Sequence, residues 1–341
     1  MSERVSIMSL LFLLLLLLLL TITVTISIKE VNEVNEDNEV RHIIFFGDSL
    51  MRYQYLAYVY RLHYHTHTVP LTLINEKLYP NWQSFFYNTT KIFNGYMLCD
   101  CYRHSSMTHL STSRENRHYT HPSGKLIVSY YSWMGYHPIQ GMNMNDTSSV
   151  VKSFGKYVTH PDWVYKTPLA FVQHHLSSLF PLPSVIFVNS GHWRHKQVAR
   201  NPLPLLQALH EAVTRRNKSS DITHSHTSLV NNSISTSGKC VAWLATTTPN
   251  IPWWAGSRDA DWNILRGHYC RKSLSDEVIP SASTPSSVVE SCVYVPFNFK
   301  VNKSSDYFDH MHFSNENIYH ARTDSALRAC ALNDSLLYLG V

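Results

Sequence analysis

The chain has 341 residues, enough for one large domain or two small ones with a sizeable core. Hydrophobic residues make up 44% and charged residues 16%, a balance that excludes a disordered protein. The net charge of +5 is spread thinly, and no basic run interleaved with aromatics suggests nucleic-acid binding. The 21 histidines give a mildly basic surface whose charge is expected to rise in an acidic compartment.

The first element is apolar. Val5 to Ile28 carries no charge and contains the unbroken run Leu10–Leu20. About 20 apolar residues suffice to span a bilayer as a helix. A cleaved signal peptide is the alternative, but its apolar region is typically about 7–15 residues long. The uncharged stretch here is longer, and no A-x-A-like site follows it. The expected organisation is a short cytoplasmic tail (1–4), a transmembrane signal anchor (5–28), a polar stem (29–40) and a lumenal domain (41–341). Arg4 and the amino terminus, set against Lys29, orient the anchor with the amino terminus in the cytoplasm. All six cysteines (Cys99, Cys101, Cys240, Cys270, Cys292 and Cys330) follow the anchor, as do sequons at Asn88, Asn145, Asn217, Asn231, Asn302 and Asn333. An even cysteine count in an oxidising lumen is compatible with disulfide bonds, with the pairing left open.

The folded region opens at Arg41-His-Ile-Ile-Phe-Phe46, a continuous apolar run that reads as a buried strand of a parallel sheet. Gly47-Asp48-Ser49 supplies a turn. Met51, Tyr55, Val59 and Leu62 then recur at helical spacing. Further strands are predicted at Leu126–Tyr131, Ser184–Val188, Cys240–Thr246 and Cys292–Phe297, with a helix over Leu203–Arg216. The stretches 217–238 and 274–289 are rich in Ser, Thr and Asn and read as surface loops. Alternating strands and helices predict an α/β fold, one doubly wound domain on a parallel sheet.

Three segments carry candidate chemistry. A serine between a strand end and a helix start is exposed, and its backbone N–H lies at the positive end of the helix, so Ser49 is the candidate nucleophile. The alternative is a serine that merely caps the helix. Near the other end, Asp309 and His312 are three residues apart and share a face in a turn or helix start. The carboxylate can then hold the imidazole while Nε2 takes a proton from Ser49. His310 and His312 form a His-x-His, but no acidic or cysteine cluster nearby completes a metal site, and neither metal nor cofactor is expected. The strand Val185-Ile-Phe-Val188 runs into Asn189-Ser-Gly-His192-Trp193, which offers the Asn189 amide as an oxyanion donor or, alternatively, a simple turn. Ligands of open parallel sheets bind beyond the carboxyl ends of strands, where Ser49, Asn189 and Thr246–Thr248 are expected to gather.

These segments, with Gly47-Asp48-Ser49-Leu50-Met51-Arg52 first, Trp243-Leu-Ala-Thr-Thr-Thr-Pro249 third and Asp309-x-x-His312-Phe313 last, occur in the order seen in one known family. The chain resembles, over about residues 41–330, the PC-esterase branch of the SGNH (GDSL) superfamily, which includes the plant trichome-birefringence-like polysaccharide O-acetyltransferases. It departs from the plant members at His310-Met311, at Ser314-Asn315 and at Arg194. The resemblance implies a three-layer α/β/α SGNH fold and a Ser49–His312–Asp309 triad. Its oxyanion donors would be the Ser49 N–H and Asn189. Arg52, His192 and Trp193 match motif positions and would be structural or substrate-binding residues. The implied partners are a carbohydrate acceptor and an acyl donor. The implied activity is glycan O-acetyl transfer, with a carbohydrate acetylesterase or a non-catalytic glycan-binding membrane glycoprotein as alternatives. The Golgi or another secretory lumen is the implied location.

Overall fold

The computed structural model describes Leu18, Thr21 and residues 40–103, 113–143, 161–189, 198, 200–215, 239–246, 269–272, 292–297, 307 and 312–330. The chain divides into two compact units, Met1–Val40 and Arg41–Val341. Apart from Leu18 and Thr21, the apolar segment 5–28 lies outside the described residues. So do the stem up to residue 39 and the loops 217–238 and 274–289. Among the described residues, no helix is long and apolar enough to cross a membrane.

The second unit opens with β1 (Arg41–Gly47), buried on both faces from His42 onward, as its apolar run predicts. Helix α1 (Ser49–Tyr64) follows after a single residue, and 13 of its positions are buried, so it is covered nearly all round. It ends at His65, which adopts the left-handed conformation (φ 52°), with Arg61 and His63 in the last turn, where cations favour the helix dipole. Next come the short helix α2 (Leu71–Ile74) and α3 (Trp82–Lys91), the latter capped by the Asn81 side chain. Strands β2 (Met97–Tyr102), β3 (Arg114–Thr120) and β4 (Leu126–Ser132) complete this half of the sheet.

The small ladder of β5 (Ile139–Gly141) with β6 (Trp163–Tyr165) leads to α4 (Pro168–His174), then β7 (Val185–Val188) and α5 (Leu203–Thr214). Strands β8 (Cys240–Leu244), β9 (Arg271–Lys272) and β10 (Cys292–Val295) precede the last described helix, α6 (Glu316–Ala329).

Eight of these strands form one sheet in the order β2-β3-β4-β1-β7-β8-β10-β9. β1 is central and pairs in parallel with β4 and β7, and the parallel pairing continues through β8, β10 and β9. The sheet is mostly parallel, as the sequence predicts, but β3 runs antiparallel to both β2 and β4. The cause is local. Only five residues, 121–125, join β3 to β4, closed by Gly124 (φ 71°) and the bond from the Gly124 N–H to His121 O (2.8 Å). A link that short permits only an antiparallel hairpin, because a parallel crossover needs a dozen residues or more.

Alternation along β1 divides the core. Ile43 and Phe45 enter the cluster formed with α1, α3 and α6, whereas Ile44 and Phe46 enter the cluster formed with α4 and α5. Helices therefore cover both faces. A one-residue slip of β1 would exchange the two sets, so both clusters hold its register. Disulfides join Cys99 to Cys101, Cys240 to Cys330 and Cys270 to Cys292. The second ties the start of β8 to the end of α6, across 90 positions of sequence.

Some of the histidines lie in the interior and not at the surface. His42 is 2% exposed, and burial lowers its pKa to about 4. Burial likewise lowers His118, His175 and His320 to about 4, so this part of the histidine content stays neutral in mild acid.

Candidate active site

Only Asp48 separates β1 from α1, and it settles which residue caps the helix. Its backbone is extended and its carboxylate accepts the Leu50 N–H at 3.0 Å. Ser49 therefore occupies the first helical position, where backbone N–H groups lack intrahelical partners, and its hydroxyl is not used as the cap. Instead, Ser49 Oγ lies 2.6 Å from Nε2 of His312.

The turn is fixed from three sides. Gly47 O accepts the Trp133 N–H (2.7 Å), and the Tyr130 hydroxyl donates to Asp48 O (3.0 Å) and Gly47 O (3.3 Å). A Cβ at Gly47 would come within 2.8 Å of Met51 Cγ and 2.9 Å of the Asn189 carbonyl, so the position admits glycine alone without a shift of its surroundings.

The expected exposure of Ser49 needs correction: Ser49 is 8% exposed and His312 6%, because α6 and its preceding segment pack over the start of α1, so the pair is largely withdrawn from water. The neighbouring Phe313 anchors the histidine segment. It bridges to Tyr307, stacks on Phe297 (5.8 Å, 15°) and gives its N–H to the Tyr319 hydroxyl at 3.1 Å. The segment then enters α6, whose Asp324 binds Arg61 of α1 through two contacts, at 2.6 and 3.1 Å. The helix that begins at the serine and the helix that follows the histidine are thus clamped together on one face of the sheet.

Of the structural and substrate-side roles expected of Arg52, the geometry fits the structural one. A substrate-binding arginine must reach an open surface, yet this guanidinium has no exposure. It pairs with Glu115 of β3 at 3.2 Å, lies 3.7 Å from Glu76 and donates to the Tyr53 hydroxyl at 2.6 Å. Burial opposes its charge, but Glu115 and Glu76 more than offset this, and its pKa is raised. Glu115 in turn accepts from Arg117 at 2.9 Å. The Arg-Glu-Asn-Arg sequence of β3 forms a strand because its charges are paired inside the protein.

Asn189 stands at the expected sheet edge, its N–H bonded to Phe46 O at 3.1 Å. Its side-chain amide, however, donates to the carbonyls of Leu244 (2.8 Å) and Ala245 (3.2 Å). The two hydrogens of one amide group can serve both carbonyls, so Asn189 ties the end of β7 to the end of β8. The Arg322 guanidinium joins it on Ala245 O.

Asp309, His192, Trp193, Thr247 and Thr248 lie outside the described residues. Among the described residues, no group of three or more His, Cys, Asp or Glu side chains could hold a metal ion. Three residues at the histidine, the serine turn and the sheet edge escape a reading of the sequence. Tyr53 packs edge-on against His312 (5.1 Å, 85°), Tyr130 holds the turn, and Arg322 reaches the end of β8. Only Tyr53 leaves a trace in the sequence, as the residue after the Gly-Asp-Ser-x-x-Arg motif.

The arrangement can perform nucleophilic catalysis. With the proton of His312 on Nδ1, Nε2 accepts the Ser49 hydroxyl hydrogen and can remove it as Oγ attacks an acyl carbon. The Leu50 N–H is taken by Asp48, and the Ser49 N–H lies at the positive end of α1, where negative charge is favoured. Comparisons with protein-family models, with curated proteins and with solved structures find no match.

Proposed function

We propose that the chain is a serine acyl-transfer enzyme of SGNH type, and that it moves an acetyl group to a hydroxyl of a carbohydrate through an acyl-Ser49 intermediate. The observation that carries this reading is the 2.6 Å contact between Ser49 Oγ and His312 Nε2, with Ser49 at the start of α1 and Asp48 taking the cap. Attack by Ser49 expels the donor's leaving group, which takes up the proton held by His312. The same imidazole then deprotonates the acceptor hydroxyl as it collects the acetyl group. Asp309 is assigned to orient the imidazole from the Nδ1 side, and His192 and Trp193 to face the sugar. Helices on both faces of a mostly parallel sheet suit the three-layer α/β/α fold of the PC-esterase branch.

A secretory lumen, where glycans are modified, favours a sugar hydroxyl as the acceptor. With water admitted, the same machinery is a carbohydrate acetylesterase. We assign the uncharged segment 5–28 as a signal anchor that places residues 41–341 in the lumen of the secretory pathway, such as the Golgi, where three disulfides are stable.

The test is release of p-nitrophenol from p-nitrophenyl acetate by the full chain and by Ser49→Ala, with and without glycan acceptors whose mass is then measured. The reading expects a drop of about 10³-fold or more in the variant, and acceptors heavier by one acetyl group with the parent chain alone. Equal rates in the two proteins would remove the nucleophile assignment.

A further inference from the structure

Tyr53 lies between the buried ion pair and the candidate base. Its hydroxyl accepts from Arg52 Nη2 at 2.6 Å, and the guanidinium carbon also sits 4.3 Å from the ring centroid. On the other side the ring meets His312 edge-to-face, with centroids 5.1 Å apart and planes at 85°. Tyr53 has no exposed surface and touches Phe85 and Tyr319 besides, so its ring has no room to turn away.

Arg52 cannot drift either. Glu115 holds Nη1, Glu76 lies near Nη2, and the aromatic rings of Trp82 and Phe85 lie 5.1 and 5.3 Å from the guanidinium carbon. Ser49, Arg52 and Tyr53 all belong to the first turns of α1. The helix that presents the nucleophile thus also supplies the wall against which the imidazole rests.

We propose that Tyr53 is a positioning residue for His312, itself set by the Arg52–Glu115 pair, and that it holds the imidazole with Nε2 toward Ser49. The proposal rests on the reading of Ser49 and His312 as nucleophile and base. It explains why a motif arginine three residues after the serine is buried with carboxylates instead of facing a ligand. An edge-to-face ring contact contributes about 0.5–1.5 kcal/mol beyond burial, enough to bias a rotamer. A misplacement of about 1 Å at a reacting pair can cost on the order of 10²-fold in rate.

The experiment uses the full chain with ¹⁵N-labelled histidine, and His312→Gln to assign the resonance. Two quantities are measured for the parent, Tyr53→Leu and Tyr53→Phe. One is the tautomer of neutral His312, read from its imidazole ¹⁵N shifts. The other is the rate at which a fluorophosphonate labels Ser49.

In the parent chain, His312 is expected as a single tautomer protonated on Nδ1. Tyr53→Leu should give a mixture of tautomers and label at least about tenfold more slowly per folded molecule, with a lowered melting temperature because a buried ring is lost and an Arg52 donor is orphaned. Tyr53→Phe keeps the ring but loses the bond to Arg52, and should fall between the two. If Tyr53→Leu does not fold, Tyr53→Phe decides alone, since it retains the ring volume. Parent-like tautomer and labelling rate in the folded Tyr53 variants would overturn the proposal. A parent chain that is not labelled at all, yet changes tautomer on substitution of Tyr53, would leave the positioning role standing and remove the nucleophile assignment instead.

Discussion

His312 Nε2 lies 2.6 Å from Ser49 Oγ although 263 positions of sequence separate them. Two helices on the same face of the sheet bring them together. α1 begins at the serine and α6 follows the histidine, with the Arg61–Asp324 pair between them and the Cys240–Cys330 bond fixing the far end of α6. The contact therefore depends on elements remote from it, and changes in those elements should register at the site.

Gly47→Ala tests the turn. The added methyl group meets Met51 and the Asn189 carbonyl at under 3 Å, so β1, β7 or α1 must shift. A destabilisation of about 1–3 kcal/mol is expected, with a loss of activity larger than the loss of folded protein. Urea denaturation and the specific activity of the folded fraction measure both. Parent-like stability would show that the turn has slack that these distances deny.

The Cys240–Cys330 bond closes a loop of 90 positions. Replacing both cysteines with serine should lower stability by roughly 4–5 kcal/mol on the loop-entropy account. The loss should be greater than for Cys270 with Cys292, which closes a loop of 22. Paired melting curves of the two double variants decide it; the reverse order would mean that the bridge to α6 is not what restrains that end of the fold.

The part of the fold legible in the sequence was the part built on apolar runs. β1, β4, β7, β8 and β10 lie where hydrophobic runs place them, and α1 and α5 follow helical spacing or proline signals. β3 was not legible, because Arg114, Glu115, Asn116 and Arg117 are buried through partners on other elements, such as Arg52 and Asp100. Pairing of that kind has no local period. The same reason hid the true location of Arg52, whose motif position says nothing of Glu115. At the site, Ser49 and His312 were readable from turn chemistry and spacing. The commitment of the Asn189 amide to Leu244 and Ala245 was not, because it depends on how far β8 runs beside β7.

Acid stability follows from a buried histidine pair at the opposite end of β1. His42 Nδ1 donates to Pro181 O (3.0 Å), its Nε2 accepts from Ser129 Oγ (2.9 Å), and His118 Nδ1 meets the same oxygen (2.8 Å). Burial lowers His42 from 6.5 to about 4, and His118 likewise. Between pH 6.5 and 4 the unfolded chain binds protons that the folded chain refuses, so stability is full above about pH 6.5 and falls as the pH drops toward 4. For His42 the loss between pH 8 and pH 5 is about 2 kcal/mol. His42→Gln should flatten the pH dependence of the melting temperature over that range, and an unchanged slope would assign acid sensitivity elsewhere.

The central claim is that Ser49 is a nucleophile activated by His312. Its most direct test is to treat the folded full chain with a fluorophosphonate and locate the adduct by peptide mass spectrometry. The account predicts one adduct, on Ser49. It should be absent in Ser49→Ala and at least about 10²-fold slower in His312→Ala. An unlabelled Ser49, or labelling that is indifferent to His312, would contradict it.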